Sequence, residues 1–120
     1  KEPMVRPTEA KIIEVPGSFE IPVIISKNIS EYDGFIALGC IIKGETPHFD
    51  FISQSITNAI MELSVNFKKP IGNGIITSLN KDQALVRSYK KGIEATEAIL
   101  SVLEKFEWKR YIKEKIIQEL

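Results

Sequence analysis

The run Gly34-Phe-Ile-Ala-Leu-Gly39, continued by Cys40, Ile41 and Ile42, is apolar at nearly every position. A strand without polar alternation fits a sheet covered on both faces, which is the arrangement of parallel sheets. Gly44 then frees the backbone to turn. Thr46 is a good N-cap and Pro47 suits the first helical position, so the pattern predicts a helix starting there. Unpaired N–H groups at such a start attract phosphate or carboxylate. His48, the only histidine, falls in the first turn, where the positive helix end favours a neutral imidazole able to take and give protons near pH 7. Each piece also has a structural explanation. Strand, turn and capped helix recur throughout α/β proteins, and a single histidine at a helix start is more often a capping or packing residue than a catalytic one.

The same reading extends along the chain. Ala10–Val15 reads as a strand and Phe19–Asn28 as a helix, with Pro22 tolerated because early helical N–H groups lack intrahelical partners. From Pro47 to about Phe67, Ile52, Ile56, Ala59, Ile60 and Leu63 recur at three- and four-residue steps, marking one face of an amphipathic helix. Pro70–Thr77 returns to strand. Asn80 caps a shorter helix to about Lys90, and a long one follows from Ile93, with Ile99, Leu100, Leu103 and Phe106 inward. Alternating strands and helices predict one α/β domain over residues 1–120, a three-layer α/β/α sandwich of flavodoxin-like kind with its three strands parallel.

Composition narrows the function. Sixteen basic and sixteen acidic residues cancel, whereas nucleic-acid binders carry a basic excess, so no nucleic-acid partner is expected. One cysteine cannot form an internal disulfide, and no stretch approaches the ~20 apolar residues of a membrane span. The start of the chain lacks the apolar region of a signal sequence, so a cytoplasmic protein without a membrane partner is expected. No ligand cluster or GxGxxG fingerprint points to a metal or nucleotide cofactor. In the tail from Trp108, acids mixed among the bases favour an amphipathic helix packed on its own or a neighbouring subunit over a membrane surface.

Four segments in order resemble the 6,7-dimethyl-8-ribityllumazine synthase family. Gly39-Cys-Ile-Ile-Lys-Gly-Glu-Thr-Pro-His-Phe-Asp50 looks like its signature, and Val15-Pro-Gly-Ser-Phe-Glu-Ile-Pro22 is similar to its VPG[AS]FE[IL]P turn. Pro70-Ile-Gly-Asn-Gly-Ile-Ile-Thr77 looks like its next buried strand, and Gln83-Ala84 with Arg87, then Lys91-Gly92, fit its QA…R and KG pairs. The resemblance covers most of the chain between about Ala10 and Glu104. It implies a transferase of riboflavin biosynthesis with two small-molecule substrates and no cofactor or metal. The enzyme would join 5-amino-6-(D-ribitylamino)uracil to 3,4-dihydroxy-2-butanone 4-phosphate, releasing phosphate and two waters.

Residue by residue, the resemblance implies His48 as the general acid/base. Lys43, Gly44, Glu45 and Thr46 would cradle the phosphate through backbone N–H groups and the threonine hydroxyl, with Arg87 as its charged partner. Ser18, Phe19 and Glu20 would meet the pyrimidine and ribityl chain, Ile41 and Ile42 would line the cleft, and Lys91 would reach the substrate. In the family the site lies between subunits of a homopentamer, with Asn73, Arg87 and Lys91 coming from the neighbour of the chain that gives His48. Pentamers in the family stand alone, pair, or build shells.

Three departures qualify the match. The family has a further strand and helix before Ala10, with that strand in the middle of the sheet, which residues 1–8 cannot supply; a chain incomplete at its start is expected. Ser88-Tyr-Lys90 is shorter than the family's usual connection between arginine and KG. Asn73 stands where many members carry an aromatic residue. Two other readings are a non-catalytic assembly or ligand-binding protein built on the same scaffold, and the archaeal-type riboflavin synthase, which shares the fold but needs no phosphate cradle.

Overall fold

In the computed structural model, residues 10–44 and 48–119 are described, with side chains through Phe106. A 3-10 turn over Ser18–Glu20 leads into α1 (Ile21–Lys27), followed by β1 (Phe35–Ile42), α2 (His48–Phe67), β2 (Ile71–Ser78) and α3 (Lys81–Glu119). β1 and β2 pair in parallel, Phe35 opposite Ile71 through Ile42 opposite Ser78. Strand periodicity then decides which layer covers which residues. On the face of Ala37, Ile71 and Ile75 lie α1 and α2, whose Ile21, Ile25, Ile56 and Ile60 make the buried core with Ala37. α3 covers the opposite face. An added Cβ at Gly72 would stand 2.5 Å from the Ala95 carbonyl oxygen, so only glycine lets α3 lie this close to β2. The result is the expected α/β/α layering on a parallel sheet.

Two expectations are corrected. Ala10–Val15 forms no strand, and the sheet has two strands among the described residues. Its composition suits a strand, but β structure exists only as a pair, and no described segment supplies the ladder. The two C-terminal helices are one. α3 runs unbroken through Ser88–Lys91, because no proline interrupts it and Gly92, the lone glycine, costs only about 1 kcal/mol against alanine. A connection this short leaves the chain no room to reverse, so it continues as helix.

The ends of the long helices show why they sit where they do. Asn80 Oδ1 accepts from the Gln83 N–H at 2.9 Å while Gln83 Oε1 accepts from the Leu79 N–H at 3.0 Å, a reciprocal cap that starts α3. At the end of α2, Lys68 takes φ 56° and the Lys69 N–H donates to the Ser64 carbonyl at 3.1 Å, the left-handed closure usually given to glycine. Among the described residues no helix is long and apolar enough to cross a membrane.

Candidate active site

Ligands of parallel α/β sheets bind beyond the carboxyl ends of the strands, and most of the candidate residues gather at that end. Ile41 and Ile42 close β1, and the Lys43 N–H extends the ladder by donating to the Ser78 carbonyl at 2.9 Å. Ile41 packs on the core cluster while its neighbour Ile42, on the other face, is exposed. Gly44 follows in open space, with no atom within 4 Å of an added Cβ. Glu45, Thr46 and Pro47, and with them the expected N-cap and part of the phosphate cradle, lie outside the described residues. His48 is the first residue of α2 and is exposed.

The 3-10 turn lies against β1. Ser18 Oγ is 2.5 Å from where a Cβ would stand on Gly39, so the bare glycine is what admits the serine. Phe19, which apolarity alone would place in the core, is 62% exposed, and Glu20 is half-buried. A phenyl ring in solvent beside a strand end offers a stacking surface for a flat ligand. Ser18, Phe19, Glu20, Ile41, Lys43, Gly44 and His48 thus belong to the half of the molecule built by β1 and the start of α2.

Asn73, Arg87 and Lys91 belong to the other half. Arg87 Nη1 donates to the Thr77 carbonyl at 2.8 Å, which fixes the guanidinium at the carboxyl end of β2. Lys91 follows one helical turn later on the same side of α3, a consequence of the unbroken helix. That side is the one carrying Ala98 and Val102, away from the groove that Leu85, Tyr89 and Ile93 form with β1. Asn73 is exposed on β2, its Oδ1 accepting from the Ile75 N–H at 3.1 Å. α2 and α3 cover opposite faces of the sheet, so His48 and the Arg87–Lys91 pair stand on different layers of one chain.

Sequence reasoning did not single out Gly39 or Thr77. Gly39 is recognisable as a glycine inside a strand, which signals close approach. Thr77 contributes only a carbonyl, which side-chain identity does not reveal.

Comparison with known proteins agrees with the motifs. The model of the 6,7-dimethyl-8-ribityllumazine synthase family matches residues 1–107. A protein of that name from Agrobacterium fabrum is 43% identical over 104 residues, covering 78% of this chain and 70% of the relative. One from Renibacterium salmoninarum is 40% identical over 104 residues, covering 77% of this chain and 65% of the relative. One from Methylorubrum populi is 43% identical over 106 residues, covering 79% and 63%. The chain thus spans roughly two thirds or less of the length of most of these relatives.

Proposed function

Because the chain belongs to the 6,7-dimethyl-8-ribityllumazine synthase family, we propose that it condenses 5-amino-6-(D-ribitylamino)uracil with 3,4-dihydroxy-2-butanone 4-phosphate. The observation that carries this reading is that Ile41–Gly44, His48 and Arg87 stand at the carboxyl end of a parallel sheet, with His48 and Arg87 on different layers. The amine of the pyrimidine attacks the ketone, a Schiff base forms, phosphate is eliminated and the ring closes. Phe19 offers the pyrimidine a face, Ser18 and Glu20 offer polar groups to the ribityl hydroxyls, and the Lys43–Thr46 backbone with Arg87 holds the phosphate. His48 relays protons. Asn73 gives the ring edge a hydrogen-bonding amide in place of an aromatic face.

The working unit in this reading is a homo-oligomer built from pentamers in the cytoplasm. His48 of one chain faces Asn73, Arg87 and Lys91 of the next, since the two halves lie on different layers of a single chain. Mixing chains tests both the chemistry and the sharing. His48→Ala and Arg87→Ala chains, each deficient alone, regain lumazine formation when unfolded and refolded together, because some interfaces then pair two intact halves. A mixture no more active than the better parent overturns the shared site.

A further inference from the structure

Hydrogen bonds to three of the residues proposed above converge where β2 hands over to α3. Carbonyls of successive strand residues point to opposite sides, so Thr77 turns its carbonyl to the open edge of the sheet while Ser78 turns its own toward β1. The first accepts from Arg87 Nη1 at 2.8 Å and the second from the Lys43 N–H at 2.9 Å. Two consecutive peptide units thus hold both the start of the Lys43–Thr46 backbone and the guanidinium. A shift of this short segment moves them together.

Ser78 is 6% exposed, the one buried polar side chain among the described residues. Burial of a hydroxyl is costly without a partner, and this one donates to the Asn80 carbonyl at 3.0 Å. Cys40 Sγ, 3.9 Å away, is a weaker neighbour. The Asn80 carbonyl also accepts from the Ala84 N–H at 3.3 Å, at the first turn of α3, and the reciprocal Asn80–Gln83 cap closes the same turn. One buried hydroxyl therefore ties the last residue of β2 to the start of the helix that carries Arg87. Among the described residues, Ser18, Phe19 and Glu20 share no hydrogen bond with this turn.

We propose that Ser78 is a positioning residue for the phosphate substrate, its hydroxyl fixing the Thr77–Asn80 turn and, through it, the Lys43 backbone and the Arg87 guanidinium. That role rests on the phosphate contacts proposed above for Lys43–Thr46 and Arg87. Ser78 touches no substrate itself. Where Lys43 and Arg87 of one chain serve neighbouring sites, each Ser78 steadies one side of two phosphate positions, and its loss loosens every site from both sides.

Ser78→Ala and Ser78→Thr test it against wild type. Alanine removes the hydroxyl but leaves the Asn80 carbonyl its Ala84 partner; threonine keeps the hydroxyl, and its β-branch suits a strand. Ser78→Ala should raise the KM for the phosphate substrate about 3- to 10-fold, the scale of a small misplacement of binding groups, with the KM for the pyrimidine unchanged. Ser78→Thr should restore the phosphate KM. A folded Ser78→Ala that affects both substrates alike, or alters only the thermal midpoint, overturns the proposal, as does a folded Ser78→Thr that fails to rescue. Calorimetric titration with inorganic phosphate needs no turnover: Ser78→Ala should bind it several-fold more weakly than wild type, and equal affinity overturns the proposal. Wild type that binds phosphate without forming lumazine contradicts the condensation and leaves the positioning role standing, whereas wild type that does not bind phosphate overturns both.

Discussion

Arg87 is tied to Thr77: its Nη1 donates to the threonine carbonyl at 2.8 Å, across ten residues of sequence. The tether uses one of five guanidinium donors and fixes the direction of the rest at the carboxyl end of β2. A phosphate arriving there meets a cation whose side-chain freedom is already restricted. Arg87→Ala should therefore raise the KM for the phosphate substrate by about 10-fold or more, the scale of a lost charge-assisted bond, while the KM for the pyrimidine changes little. Steady-state kinetics with each substrate varied in turn decide it. Equal effects on both substrates contradict a phosphate role.

His48 opens α2 in an exposed position. His48→Ala should lower turnover by about 10²-fold, typical of a lost acid/base group, with assembly mass unchanged. Wild-type turnover in a properly assembled variant would mean that orientation of the two reactants carries the chemistry.

Gly39 and Gly72 make a matched pair for substitution. An added Cβ at Gly39 meets Ser18 Oγ at 2.5 Å, the end of a side chain that can rotate away, whereas at Gly72 it meets the Ala95 backbone oxygen. Gly72→Ala should cost about 1–3 kcal/mol of stability, as overpacking does, read from the urea midpoint. Gly39→Ala should be the milder change in stability yet raise the KM for the pyrimidine by displacing Ser18. The reverse ranking in stability contradicts the described packing of α3 on β2.

Lys68 closes α2 with φ 56°, a conformation that glycine adopts without the Cβ clash. Lys68→Gly should stabilise the protein by about 0.5–1 kcal/mol, net of glycine's greater freedom when unfolded. A lower thermal midpoint would show that the lysine stem contributes more by packing than its backbone costs.

What was legible in the sequence was mainly local. Periodicity found α2 through Ile52, Ile56, Ala59, Ile60 and Leu63, and the Asn80 cap marked where α3 starts. The two paired strands were found to within a residue at each end. What failed depended on partners. Ala10–Val15 has strand composition, but a strand requires a ladder, and composition does not say whether one is present. The break expected between Lys90 and Ile93 has only one weak breaker behind it, Gly92, and α3 runs through it. The candidate residues were legible as motifs. Their division into two sets was implied by the family resemblance alone, and the structure adds that His48 on α2 and the Arg87–Lys91 pair on α3 stand on different layers of one chain.

The central claim is the condensation itself, and the most direct measurement is lumazine absorbance after mixing the purified protein with both substrates. The two substrates also react slowly on their own, so a protein-free blank sets the baseline. The account predicts formation well above that baseline, in proportion to protein, with one phosphate released per lumazine formed. A rate no greater than the blank, in folded and assembled protein, would contradict it and leave a ligand-binding scaffold without turnover.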